Sequence, residues 1–193
     1  MVVTGEPVVI VLASGRGERF LASGGRTSKL QAMLAGRTVL ERTLAAVRCS
    51  GLPWHLEDSG HPGMGDSIAA GVRATADASS WLILPGDLPL IQAATLRCIA
   101  AAPAELDVVV PVVQGLRGHP VRFSAHCGPE LMRLTGAQGA AAVVRARGAA
   151  EWPLEDAGSI FDIDTLQDLQ QAERLLAMEW TSHGLVDSSG LCH

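Results

Sequence analysis

Residues 8–20 read Val8-Val9-Ile10-Val11-Leu12-Ala13-Ser14-Gly15-Arg16-Gly17-Glu18-Arg19-Phe20. The run Val8–Ala13 is continuously apolar and rich in β-branched side chains, as expected of a parallel strand buried on both faces. It opens directly into a loop of small residues. Such a loop offers backbone N–H groups to a phosphate, and Arg16 and Arg19 add positive charge.

The pattern alternates outward from this strand. Arg37–Arg48 carries Val39, Leu40, Thr43, Leu44 and Val47 on one helical stripe, ended by Gly51. A short strand is expected over Leu52–Glu57. After the loop Ser59–Gly65, Asp66 or Ser67 can cap a helix running to about Asp77. The apolar run Trp81–Leu84 stops at Pro85-Gly86-Asp87 and so leaves a carboxylate at a strand's C-terminal end, where open α/β sheets place their ligands. Thr95–Ala102 suggests a helix. Asp107–Val113 and His119–Phe123 read as a hairpin insertion over residues 107–125, near the sheet edge. Two short helices split near Gly136, a last strand at Ser159–Ile163 and a helix over Thr165–Trp180, with Leu166, Leu169, Ala172, Leu175 and Leu176 inward, complete the pattern.

Strands alternating with helices imply a doubly wound, mostly parallel α/β sheet with a β-hairpin insertion in a single domain. That domain is expected to span residues 1–180, with a disordered tail over 181–193. No apolar stretch is long enough for a membrane span, and the N-terminus lacks a basic leader, so a cytoplasmic protein without membrane contact is expected. The net charge of −5 argues against non-specific nucleic-acid binding. Cys49, Cys98, Cys127 and Cys192 contain no C-x-x-C pair and suggest neither a zinc site nor a disulfide framework. His55 and His61 have no recognisable ligand spacing.

Fourteen of the fifteen basic residues are arginine, and Lys29 is the exception. A compact ammonium on a flexible stem suits a site that gathers phosphates. The loop lacks the third glycine of the dinucleotide fingerprint, and G-x-x-x-x-G-K-[ST] is absent, which disfavours dehydrogenases and Walker-type NTPases. Each remaining piece has a plain structural reading: Lys29 a helix-start residue, Asp87 a turn former, Asp164 an N-cap ahead of the last helix. Taken together, a strand-end loop, one lysine and separated carboxylates able to hold Mg²⁺ are what phosphoryl or nucleotidyl transfer requires, because the protein mainly positions groups and neutralises charge.

LASGRGERF, Lys29-Leu30, GMGDSIAAGV, LILPGDLPLI, GLRGHPVRF and FDIDT occur in an order and spacing that resemble the molybdopterin cytidylyltransferases and related MobA-like NTP transferases. The resemblance runs from about Val8 to Leu176 and implies a Rossmann-like fold. By it, Leu12, Ala13, Ser14 and Gly15 would hold base and phosphates, Arg16 and Lys29 the triphosphate, and Gly65 and Ser67 the base or ribose. Lys29, Arg16 and Asp87 would be catalytic, Asp87 and Asp164 would ligate Mg²⁺, and His119 would lie on the acceptor side. The implied partners are an NTP (CTP or GTP), a phosphorylated small-molecule acceptor such as molybdopterin, and a molybdoenzyme. LASG and GDLP look more like the cytidylyl branch than the guanylyl one. Two departures stand out: the stretch from Arg48 to Gly63 is short, and Gly136–Ala141 reads GAQGAA where relatives carry G-D-x-G-A-R. They keep open a guanylyl or sugar-phosphate transferase, or a nucleotide-binding accessory protein without turnover.

Overall fold

The alternation of Val9 and Val11 with Ile10 along the first strand sends side chains into two separate apolar clusters, one on each face of a central sheet. This is why the run is apolar throughout rather than at every second position. The computed structural model describes residues 5–15 and 17–182, with side chains to 178. Its strands are β1 Pro7–Leu12, β2 Met33–Leu34, β3 Arg37–Thr38, β4 Trp54–Glu57, β5 Ser80–Pro85, β6 Val108–Val113, β7 Leu116–Arg117, β8 Val121–Ser124 and β9 Ala149–Pro153. The helices are α1 Glu18–Ala22, α2 Val39–Ser50, α3 Met64–Ala74, α4 Ala93–Ala100, α5 Gly128–Leu131, α6 Ala141–Arg147 and α7 Leu166–Ser182.

The main sheet has the order β4-β1-β5-β8-β6-β7, with β9 also on β6. β4, β1 and β5 pair in parallel, as do β6 and β9, whereas β8 runs against both its neighbours. The chain goes from β1 outward through α2 to β4, then back through α3 to β5 on the other side of β1. The gap between the β1 and β5 loops is therefore the switch point of a doubly wound sheet. One face carries Leu44 and Val47 of α2 with Leu96 and Ile99 of α4. The other carries Ile68 and Val72 of α3 with Leu131 and Val143. A third cluster, at one end, joins Phe20, Leu30, Leu34 and Val39 to Ile163 and Ala172.

The helix α2 starts where its cap dictates. Thr38 Oγ1 accepts the Glu41 N–H at 3.2 Å and Glu41 returns the bond to the Thr38 N–H at 2.7 Å, while Gly51 closes the other end in the left-handed region. Thr38→Ala should lower stability by about 1 kcal/mol, measured by urea unfolding, with turnover per folded molecule unchanged.

Four sequence expectations differ from the structure. The hairpin is not at the sheet edge: β8 lies between β5 and β6, where Phe123 and Arg122 are buried. Helix α3 begins at Met64 rather than at Asp66 or Ser67, because the Gly65 N–H bonds the Gly136 carbonyl, a tertiary partner that local cap chemistry cannot reveal. Ser159–Ile163 forms no strand; Ala157–Ile160 is a 3-10 turn, and the last strand is β9. Leu175 on α7 is exposed, whereas Ala172 is fully buried and Leu166, Leu169 and Leu176 are partly buried. Cys98 and Cys127 are free thiols. Among the described residues no helix is long and apolar enough to cross a membrane. Residues 183–193, most of the expected disordered tail, lie outside the described set.

Candidate active site

Three loops meet at the C-terminal ends of β4, β1 and β5. The Gly86 N–H bonds the Leu12 carbonyl at 2.9 Å, and Thr43 Oγ1 of α2 donates to the Gly86 carbonyl at 2.9 Å. These bonds fix the backbone on which Asp87 is mounted. The Asp87 carbonyl in turn accepts the Ile163 N–H at 2.9 Å, which ties Asp162-Ile163-Asp164 to the same place. Gly17, at φ +62°, turns the first loop back onto Lys29, whose side chain lies 3.4 Å from where a Cβ would stand.

Lys29 Nζ sits 2.6 Å from Asp87 Oδ2 and 2.8 Å from Asp164 Oδ1, and Arg19 reaches Asp164 Oδ2 at 2.6 Å. Ligand oxygens of Asp87, Asp162 and Asp164 all lie within 4.8 Å of one another. Burial disfavours the Lys29 charge, but the two carboxylates outweigh it and raise the ammonium above its ordinary value. The Lys29 hydrogen bond is the main reason Asp164 is held low, against burial, while Asp162 is pushed up by burial and by the charges of Asp87 and Asp164. Asp164 is not the cap of α7. That role belongs to Thr165, whose Oγ1 accepts the Asp168 N–H at 3.2 Å while its own N–H donates to Asp168 Oδ2 at 2.7 Å.

Two adjoining compartments share Lys29, Met64, Pro85 and Asp87. The first, about 340 Å³, lies over β4, β1 and β5 and is lined by Leu12, Ser14, Gly15, His61 and Ser67 among others. The second, about 360 Å³, lies over β5 and the β6–β8 hairpin and is lined by Arg19, Arg117, His119, Ser159, Asp162 and Asp164. The hairpin's pairing shifts by two residues between Val112↔Arg117 and Val109↔Arg122, and the resulting bulge at Gly118–Pro120 turns toward the second compartment. Asp87 Oδ1, His119 Nδ1 and Ser159 Oγ, buried polar atoms without a hydrogen-bond partner among the described residues, belong to residues that line it. Burial lowers the His119 pKa against the pull of Asp87 and Asp162, so the ring is neutral at physiological pH.

Of the residues singled out from sequence, Leu12, Ser14, Gly15, Lys29, Ser67 and Asp87 line the first compartment, and His119 and Asp164 the second. Two are placed elsewhere. The Ala13 N–H bonds the Glu57 carbonyl while its side chain packs in the third apolar cluster. Gly65 is a close-packing glycine: a Cβ there would meet the Thr135 carbonyl at 2.8 Å. Arg16 lies outside the described residues. Sequence reasoning missed Arg19 as a site residue, although its charge in the loop was visible, and Asp162, which buried Ile163 turns to the same side as Asp164. It also missed Glu57. This buried carboxylate accepts the Ser59 N–H at 3.1 Å and gathers His55 at 3.5 Å and His61 at 3.3 Å. Burial opposes its charge, yet these partners hold the carboxyl below its usual value.

A family model described as the MobA-like NTP transferase domain matches residues 9–151. The chain belongs to the MobA-like NTP transferase family. It is a nucleotidyltransferase related to molybdenum cofactor guanylyltransferase of Rhodopseudomonas palustris, with 29% identity over 203 residues that cover 90% of this chain and 94% of that protein. It is 30% identical over 135 residues to bifunctional protein GlmU of Stenotrophomonas maltophilia, covering 58% of this chain but only 29% of that longer protein. In fold it resembles Rv0371c of Mycobacterium tuberculosis H37Rv, at a TM-score of 0.74 and 22% identity over 88% of this chain and 98% of that one. A manganese complex of Rv0371c superposes at 0.70.

Proposed function

We propose that this MobA-like transferase moves a nucleoside monophosphate from an NTP, with CTP favoured, to a phosphorylated acceptor of the molybdopterin kind, releasing pyrophosphate. The observation that carries this reading is the pair of compartments meeting at Lys29 and Asp87, with unpartnered polar atoms on the acceptor side. A transfer between two substrates needs two such seats, one on each side of the reacting phosphorus. An acceptor phosphate oxygen forms the new bond to the α-phosphorus as the bond to the β-phosphate oxygen breaks, and the electron pair leaves with pyrophosphate. Lys29 stabilises the triphosphate, Arg19 adds charge beside it, and Asp87 with Asp164 orients both.

The donor set fits Mg²⁺. Asp87, Asp162 and Asp164 supply hard oxygens, and the unpartnered Asp87 Oδ1 is available as a ligand. When bound there, Mg²⁺ would neutralise charge on the phosphate oxygens.

The first compartment favours a base that donates hydrogen bonds. Ser14 Oγ donates to the Glu57 carbonyl at 3.2 Å and Ser67 Oγ to the Gly63 carbonyl at 3.3 Å, so both hydroxyls offer lone pairs outward. His61 lines the same compartment, with Nε2 3.3 Å from Glu57 Oε1. Cytosine and guanine carry amino groups that match; uracil offers only one N–H. Incubation with Mg²⁺, molybdopterin and each NTP should release pyrophosphate fastest with CTP and at least about 10-fold more slowly with UTP. GTP as the better donor would transfer the assignment to the guanylyl branch, to which the Rhodopseudomonas relative belongs by name. Nucleotide binding without pyrophosphate release, across phosphorylated acceptors generally, would leave an accessory role.

A further inference from the structure

We infer that Lys29 holds the place of the divalent cation in the nucleotide-free protein, so that cation and triphosphate are taken up together rather than one after the other. The inference rests on the nucleotidyl-transfer reading for the identity of the site, and on this structure for the exchange. Lys29 Nζ contacts Asp87 Oδ2 and Asp164 Oδ1 at 2.6 and 2.8 Å, and carboxylate oxygens of these two residues and Asp162 form the 4.8 Å cluster that a metal would need. The ammonium therefore already pairs with two of the three carboxylates a cation would use. An ion such as Mg²⁺ draws its oxygens to about 2.0–2.1 Å. Two positive centres cannot share that space at contact distance, so Lys29 must leave when the ion arrives.

Its departure needs another anion. The lysine side chain is only 14% exposed, and moving it to water would strand a charge that the carboxylates now hold. A triphosphate in the first compartment offers one, because Lys29 lines both compartments and its four-carbon stem can swing between them. In the nucleotide-free site Lys29 and Arg19 balance the charges of Asp87 and Asp164 from within the protein. Free cation must compete with Lys29, and free nucleotide must compete with Asp87 and Asp164. By reciprocity each ligand raises the other's affinity by the same factor.

The probe is Mn²⁺, titrated into nucleotide-free protein by calorimetry and by the loss of its free-ion EPR signal. Lys29→Met, which keeps the length of the stem, should bind Mn²⁺ at least about 10-fold more tightly than the unsubstituted protein. Asp87→Asn in the same background should remove the gain. Lys29→Gln serves if the methionine variant does not fold, and Mn²⁺ should raise the melting temperature of either variant more than that of the unsubstituted chain. Equal or weaker Mn²⁺ binding by both variants overturns the exchange. Pyrophosphate release is scored separately on the unsubstituted chain. Tighter Mn²⁺ binding by the variants without any such release sinks nucleotidyl transfer and leaves the exchange standing; release without tighter binding does the reverse.

Discussion

Asp87→Asn is expected to slow nucleotidyl transfer by about 10²–10³-fold while leaving the melting temperature within about 2 °C of the unsubstituted chain. Asparagine keeps the shape of the side chain, and the turn does not depend on the carboxylate, since the Asp87 main-chain carbonyl makes the bond to Ile163. What disappears is the charge. Lys29 keeps Asp164 as a partner, and the repulsion among Asp87, Asp162 and Asp164 falls, so apo stability has an offsetting gain. Initial rates and thermal melts on the same samples separate the two roles. A purely structural aspartate would instead lower the melting temperature and reduce activity only in proportion to the folded fraction.

Arg122→Met should show the opposite profile, losing about 3 kcal/mol of stability with the rate per folded molecule unchanged. Arg122 is 3% exposed on the central strand β8, and its guanidinium donates to the carbonyls of Ala102, Pro103 and Leu106 at 2.8, 2.8 and 2.9 Å. Among the described residues no carboxylate is its hydrogen-bond partner; it closes the loop after α4 by satisfying three backbone acceptors in one buried and two partly buried bonds. Methionine fills much of the same volume but leaves those acceptors unmatched, a larger loss than the relief of removing a buried charge. The melting temperature should fall by about 6–12 °C for a domain of this size. Urea unfolding that returns the stability of the unsubstituted chain would mean that solvent replaces the guanidinium.

These two residues also mark what the sequence could and could not display. The β1 run and Trp81–Leu84 were legible because burial on both faces writes itself as uninterrupted hydrophobicity. Val108-Val109-Val110 carries the same signal, yet an edge hairpin was expected, because the placement of β8 depends on partners remote in sequence. Strand β9, Ala-Ala-Glu-Trp-Pro, lacks β-branched residues and lies half exposed on β6, so no local pattern announces it. At the site, Lys29, Asp87 and Asp164 each had an ordinary local explanation. Spacing along the chain holds no trace of their convergence, which arises from the bond between Asp87 and Ile163 and from the turn at Gly17. Gly65 illustrates the converse: a motif glycine read as a ligand contact is required by the backbone packed against it.

The two compartments draw on different stretches of chain. Apart from Ala137, the lining of the first comes from residues between Leu12 and Asp87, whereas the second adds to six residues between Arg19 and Leu88 the bulged hairpin and the segment from Ser159 to Asp164. Under the proposed function, the contacts to the donor nucleotide come almost wholly from the N-terminal part of the chain, whereas those that distinguish acceptors come largely from the hairpin and the 159–164 segment. On that reading, replacing the hairpin tip and the 159–164 segment should change what receives the nucleotide while leaving largely intact the surface that receives the nucleotide itself.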